Sequence, residues 1–396
     1  MTGVSKRTRC RSCFAPGLRV VVDFGLQPLA GFYAASPEDA INHRRYPLLL
    51  EACPVCDLLQ ITDLPPIEEV FHDDYTYSSS EIPPLVAHFA DYSRWLEERF
   101  PKSAAILEFG CNDGVLLNQL RERGYQHLTG VDASTNMVAR AASRGFDVIE
   151  GFFGSGIIDR LGKRAPFDLI TCSNVFAHID DLQDVLGAAH KLLGEGGQMC
   201  IEVHDAEKLV LEGQFETIYH EHLTYFSEGS LRTCLTLNGF DVSEIEKTPM
   251  HGGGLRARAR KVRLETGTIQ SEPRSAVEIE RIGNSLTAKV KQCRERVNAL
   301  RAQYGPLDGY GMAGRAQMFL AMTQTEKAFG AFFDDAQIRQ NRYAVGTDER
   351  IEAFSPERAA RACVILAWNY SDAILKRIEP YYETVEVMFP EITKLK

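Results

Sequence analysis

The sequence lacks any run of about 18 apolar residues, so no segment is expected to cross a bilayer as a helix. Its opening, MTGVSKRTRC, has no apolar stretch of the signal-peptide kind, and the expected location is the cytoplasm. Excess positive charge is also missing: 44 Lys and Arg stand against 54 Asp and Glu, a formal net charge of -10. Phosphate backbones call for a basic face, so a general nucleic-acid partner is not expected. There is no short fixed-period repeat and no low-complexity tract.

What remains is a chain of 396 residues, 44% hydrophobic and 25% charged, with the composition of a soluble globular protein. That length implies two or three domains. Residues 1–71 form a turn-rich segment with cysteine pairs at either end. The span 72–270 begins with a helical pattern over 82–100, where Leu85, Phe89, Tyr92 and Leu96 recur at helical spacing. Strands then alternate with helices, the strands falling near 104–109, 127–132, 167–172 and 197–203. This is the pattern of a central, doubly wound α/β sheet of Rossmann-like type. The span 271–303 reads as one amphipathic connecting helix, with Ile279, Ile282, Leu286, Val290, Cys293, Val297 and Leu300 on its apolar stripe. Alternation resumes over 304–396, a smaller Rossmann-like domain in which 307–315 reads as a strand, a glycine turn and a helix start, with further strands expected at 331–335 and 364–369.

Four of the ten cysteines fall in two close pairs, Cys10-x-x-Cys13 and Cys53-x-x-Cys56, with 39 residues (14 through 52) between them. Two residues between cysteines turn both thiolates inward on one knuckle, and two knuckles complete a tetrahedral sulfur site suited to zinc. With all four positions filled by protein, the metal is expected to be structural. The other six cysteines are scattered and read as small buried residues.

The first strand of the central domain runs into Glu108-Phe-Gly110-Cys-Asn112-Asp-Gly114, the E-x-G-x-x-x-G pattern of many methyltransferases. Glycines in such a turn let the backbone approach the amino-acid portion of S-adenosylmethionine without a Cβ clash. The second strand ends at Asp132, 24 residues after Glu108, where a carboxylate can accept both ribose hydroxyls, with Ala133 beside it. Phe152 and Phe153 are placed to flank the adenine, and Asn174 ends the third strand below the cofactor.

The densest group of catalytic residue types is Tyr219-His220-Glu221-His222, which follows a sheet strand and so lies near its ligand edge. A polar aromatic stretch, Tyr75-Thr-Tyr77, precedes the central domain and is placed to close over a substrate. Arg256, Arg258 and Arg260 alternate on a strand and so share one face, a candidate for contact with a diphosphate.

Taken together, these segments resemble the sugar C-3 methyltransferases of antibiotic deoxysugar pathways. The resemblance rests on both cysteine pairs, Phe71-His-Asp-Asp-Tyr75-x-Tyr77, Glu108-x-Gly-Cys-Asn-Asp-Gly114, Tyr219-His-Glu-His222-x-x-Tyr-Phe-Ser, His251-Gly-Gly-x-Leu-Arg256 and Trp368-Asn369. It implies a zinc module, a methyltransferase domain, and a C-terminal domain that helps hold a dTDP-linked 4-keto-deoxysugar. By the same resemblance His222 is the general base, Tyr219 and Glu221 lie beside the substrate, and Tyr75 and Tyr77 close the pocket. The chain departs from the family where G-A-x-x-K-G becomes Gly311-Met-Ala-Gly-Arg315-Ala, and where P-G-T-H becomes Val345-Gly-Thr-Asp348.

Rival readings are open at this level. One is a bifunctional enzyme that also reduces the keto group with NADPH, for which the hook is the turn Gly309-Tyr-Gly-Met-Ala-Gly314. Another is a binding scaffold without turnover. A third is methyl transfer to a different acceptor, such as a protein or a phenol.

Overall fold

A computed structural model describes residues 3–70, 78–263 and 268–396 of the chain. The tyrosines Tyr75 and Tyr77 lie outside the described residues.

The N-terminal module is a small antiparallel sheet of β1 (Arg19–Gln27), β2 (Tyr46–Ala52) and β3 (Leu59–Ile61). Its fourth strand comes from far along the chain: Thr224–Tyr225 pairs antiparallel with β3, Thr224 opposite Gln60 and Tyr225 opposite Leu59. The segment that follows His222 is therefore part of the N-terminal sheet.

The central sheet has seven strands: β4 (Ala105–Phe109), β5 (His127–Asp132), β6 (Asp147–Glu150), β7 (Phe167–Ser173), β8 (Leu193–His204), β9 (Phe240–Thr248) and β10 (Gly254–Lys261). They lie in the order β9-β10-β8-β7-β4-β5-β6, and only β10 runs against the others. Strand residues alternate between two apolar faces. Ile106, Leu169 and Cys200 pack on helices α1 (Pro83–Glu97) and α2 (Val115–Glu122). Leu107, Ile170 and Ile201 face α3 (Leu182–Leu192) and α4 (Glu228–Leu237), together with Cys10, Cys53 and Cys56. Caps set where helices begin: Asp181 accepts from the Asp184 amide, and Ser227 and Ser230 form a reciprocal box at α4. From β4 the chain winds one way to β5 and β6, then returns to β7 and β8 on the other side. The crevice at the carboxyl ends of β4 and β7 is thus the topological switch point, where ligands bind in open α/β sheets.

Helix α5 (Ala276–Tyr304) starts at a Ser275–Glu278 capping box. Its buried stripe of Ile279, Ile282, Leu286, Cys293, Val297 and Leu300 lies in one continuous core with Val21 and Leu50 of the N-terminal sheet and Phe332 and Val364 of the C-terminal one. That last sheet holds β11 (Leu307–Tyr310), β12 (Phe329–Phe333), β13 (Ile351–Glu352), β14 (Ala362–Ile365), β15 (Thr384–Val387) and β16 (Thr393–Lys394), parallel except for β16. Asp334 and Asp335 fall just past β12, and Trp368–Tyr370 is a 3-10 turn rather than strand. Among the described residues no helix is long and apolar enough to cross a membrane.

Candidate active site and metal centre

The two knuckles converge. The Sγ atoms of Cys10, Cys13, Cys53 and Cys56 all lie within 4.8 Å of one another, with Cys10 to Cys56 and Cys13 to Cys53 at 3.5 Å. Four sulfurs at Zn–S bond length around one ion stand about 3.8 Å apart. Backbone amides already point at the sulfurs: Ser12 N lies 3.4 Å from Cys10 Sγ, and Val55 N and Cys56 N each lie 3.4 Å from Cys53 Sγ. Such donors suit thiolates rather than thiols, and the donor set fits zinc with no open position for chemistry.

The cofactor turn follows β4. Gly110 has φ +66°, and a Cβ there would stand 2.2 Å from Val175 Cγ2, so only glycine fits. Asp132 closes the turn from the next strand. Its Oδ2 accepts from Asn112 N at 2.8 Å and its Oδ1 from Ser134 N at 2.9 Å. Gly114 then opens α2, and Asn174 ends β7 with its amide on the Glu202 carbonyl at 2.9 Å. Glu108 is buried, and its Oε2 has no hydrogen-bond partner. Burial, reinforced by Asp132, Asp113 and Glu202, pushes its carboxyl well above the usual range. An unpartnered acid in a crevice of acids calls for a cationic ligand, and the sulfonium and ammonium groups of S-adenosylmethionine fit it. Of the two phenylalanines expected at the adenine, Phe153 is stacked on Phe109 in the core, with ring centroids 4.4 Å apart. Phe152 is 71% exposed, next to the exposed end of β5 where Ala133 lies. We predict that Gly110→Ala lowers S-adenosylmethionine affinity about tenfold or more, since a left-handed non-glycine residue costs about 1–2 kcal/mol before any clash. Isothermal titration checks this; unchanged affinity would place the cofactor elsewhere.

The Tyr219–His222 segment is a tight loop after the 3-10 turn Phe215–Thr217. The Tyr225 hydroxyl donates to Thr217 O at 3.3 Å and accepts from Tyr219 N at 3.2 Å, which closes the loop on itself. His222 is buried, with Nδ1 2.9 Å from Thr217 O and Nε2 2.9 Å from the Tyr219 hydroxyl. A carbonyl only accepts, so Nδ1 carries the proton and Nε2 keeps its lone pair. Burial first, then His204 and His178, pushes His222 well below the ordinary histidine value. It stays an uncharged imidazole at neutral pH. Glu221 turns toward the N-terminal module, where Gly31 N donates to Oε1 at 2.9 Å, while buried Oε2 has no partner. Burial lifts its carboxyl to about 7.

His220 is not part of this group. Its Nε2 lies 3.1 Å from Pro47 O and its ring sits edge-on to Tyr46, because the turn closed by His222 N on Tyr219 O at 2.9 Å brings residues 219 and 222 together and leaves His220 pointing away. Three histidines not singled out as site residues from sequence take its place. His178 and His204 have ring centroids 5.0 Å and 4.9 Å from His222, and His251 lies 5.7 Å from His204. His178 follows β7 and His204 ends β8, so the strand-end position that singled out Asp132 also marked them.

The arginine row does not face a diphosphate. Arg256 lies under α1, over the rings of Tyr92 and Trp95, with Nε 2.8 Å and Nη2 2.7 Å from Glu202 Oε1. His88 Nε2 and Ser173 Oγ meet the other Glu202 oxygen at 2.9 and 2.8 Å. Arg258 pairs with Glu244 and Arg260 with Asp241. Helix α1 covers Arg256, and each of the three arginines already pairs with a carboxylate. Arg315 reaches across from the C-terminal domain to Glu216, whose Oε1 also accepts from Trp368 Nε1 at 3.0 Å. In the C-terminal turn, a Cβ on Gly309 would meet Phe332 at 2.7 Å and one on Gly311 would meet Ala367 Cβ at 2.3 Å, so internal packing accounts for both glycines.

With this geometry in place, the comparisons define the class. Residues 85–245 match a methyltransferase-domain family, 10–71 a zinc-binding-domain family and 249–389 a C-methyltransferase C-terminal-domain family. The chain thus has a methyltransferase fold, preceded by a region of the zinc-binding-domain type and followed by a C-methyltransferase C-terminal domain. Over nearly its whole length it is similar to the C-methyltransferase NovU of Streptomyces niveus, 29% identical across 94% of this chain and 93% of that protein. A ubiquinone biosynthesis O-methyltransferase of Xylella fastidiosa is 29% identical over 27% of this chain and 45% of its own. Among solved structures, an S-adenosylmethionine-dependent methyltransferase of Mesorhizobium loti is 16% identical, with TM-score 0.34, over 44% of this chain and 100% of its own.

Proposed function

We propose that this chain transfers a methyl group to carbon C-3 of a dTDP-linked 4-keto-deoxysugar. The observation that carries the reading is the His222–Tyr219 pair, an unprotonated Nε2 and a hydroxyl donor side by side at the ligand edge of a methyltransferase sheet. The full-length similarity to a C-methyltransferase and the motifs shared with the sugar C-3 enzymes support it.

Carbon needs a base before it can act as a nucleophile. A ketone at C-4 acidifies the C-3 hydrogen, and His222 Nε2 is the group to remove it. The Tyr219 hydroxyl, which rests on that lone pair, turns to the developing enolate oxygen when substrate arrives. His222 and Tyr219 thus match the two ends of an enolisable C–H and C=O unit. The unpartnered Oε2 of Glu221, in a carboxyl held near neutrality, can take a hydrogen bond from a sugar hydroxyl. Glu108, Gly110, Asn112, Gly114, Asp132, Ala133, Phe152 and Asn174 would hold S-adenosylmethionine, with Glu108 against its cationic end and Asp132 at the ribose. When bound, that cofactor supplies an electrophilic methyl group. What the protein adds is alignment of the two carbons and exclusion of water.

The test is mass spectrometry of a dTDP-4-keto-deoxysugar incubated with enzyme and S-adenosylmethionine. A gain of one methyl on the sugar is expected. No mass change with several such sugars would overturn the substrate assignment.

A further inference from the structure

The zinc knuckle carries a residue that the proposed chemistry does not use. Arg11 lies between the ligands Cys10 and Cys13, and its side chain is entirely buried. A buried guanidinium is costly unless its donors are met, so its partners show what it is for. Nη1 is 2.5 Å from Ile61 O, 3.3 Å from Gln60 Oε1 and 3.5 Å from Leu223 O, and Nε is 2.9 Å from Asp180 Oδ1. Leu223 directly follows His222. Asp180 lies two residues after His178, whose ring stands 5.0 Å from that of His222. The two flanks are also joined to each other and to the module: Leu223 N donates to Ala177 O at 2.8 Å, and Ile61 N to Leu223 O at 3.0 Å. Gln183, from α3, fixes the knuckle from behind through Arg11 O at 2.7 Å and Ser12 O at 2.8 Å.

We propose that Arg11 is a positioning residue through which the zinc knuckle sets the place of His222 against Thr217 O, the carbonyl that fixes its tautomer. A metal held by Cys10 and Cys13 would fix the backbone on either side of Arg11. Arg11 in turn holds the carbonyl beyond His222 and the carboxylate beyond His178, so the two imidazoles are clamped from outside the pocket. On this account the metal acts on the catalytic segment while lying outside the reacting centre. The inference rests on the proposed role of His222, but its readout needs no sugar.

The test uses the zinc-loaded full-length chain, with Arg11→Met and Asp180→Asn, and records the ring nitrogens of 15N-labelled histidines. Wild type should show His222 with the proton on Nδ1. Both variants should keep one zinc per chain and S-adenosylmethionine affinity within about twofold, yet show His222 shifted toward mixed tautomers. Methyl transfer, where a substrate is in hand, should fall about tenfold in kcat with KM for S-adenosylmethionine unchanged. Asp180 is 48% exposed, so its variant should fold even if Arg11→Met does not. An unchanged His222 signal in Asp180→Asn would overturn the proposal, as would loss of zinc from that variant. Failure of wild type to methylate any keto-sugar would instead strike the substrate assignment, leaving the nitrogen spectra to decide the role of Arg11.

Discussion

Replacing His222 by Ala should abolish exchange of the sugar C-3 hydrogen with solvent deuterium and lower methyl transfer by about 10²–10⁴-fold. S-adenosylmethionine affinity should change little, because the cofactor turn at Gly110–Gly114 and Asp132 is built from other elements. Tyr219→Phe should be milder and of a different kind. It leaves the base in place, so exchange persists at a reduced rate, while the enolate loses one donor. The pH dependence follows from the environment of His222. Burial and the neighbouring imidazoles of His204 and His178 hold it well below the ordinary histidine value. Its lone pair is therefore still available as pH falls from 7.5 to 6, so His222 should add no acid limb near 6.5, and any limb near 7 should be that of Glu221 and vanish in Glu221→Gln. A limb near 6.5 that survives in Glu221→Gln, or exchange that survives in His222→Ala, would remove His222 as the base.

Replacing Glu202 by Gln should cost about 3–5 kcal/mol of stability at pH 7, because it strands the buried Arg256 guanidinium without its carboxylate. Burial alone would raise the Glu202 carboxyl. His88, by hydrogen bond and charge, then the Arg256 charge and the Ser173 hydroxyl, outweigh it and hold the group at about 2. The folded value lies below the unfolded one. The stabilisation is therefore fully present above the ordinary carboxylate value and drains away as pH falls toward 2. The gap in denaturant midpoint between wild type and Glu202→Gln should be widest near pH 7 and narrow between pH 5 and pH 3.5. A gap that stays constant with pH would mean that the His88–Glu202–Arg256 network is not what Glu202 contributes.

Different parts of this structure were legible in the sequence for different reasons. Strands β4, β5, β7 and β8 each show as a buried run bounded by turn residues, and local pattern is enough to find them. The zinc site was readable because each knuckle is short-range: two residues between cysteines dictate the turn whatever surrounds it. The Gly110–Gly114 turn was readable because its backbone tolerates only glycine at Gly110. Contacts that depend on which elements meet in space were not readable. Alternation put Arg256, Arg258 and Arg260 on one face, but nothing local says that α1 covers Arg256 and that Glu202 waits there. Sequence proximity favoured His220 as a partner of His222, whereas loop geometry turns it to Pro47 and brings His178 and His204 from two separate strand ends. Arg11, one residue from a zinc ligand, gave no signal at all, because its partners Asp180 and Leu223 lie far along the chain.

The most direct test of the central claim is carbon NMR of the sugar product after reaction with S-adenosylmethionine labelled with 13C in its methyl group. The account predicts a single labelled methyl bonded to C-3 of the 4-keto-sugar, with its formation dependent on His222. A labelled methyl found on oxygen, or on any other carbon of the sugar, would contradict it.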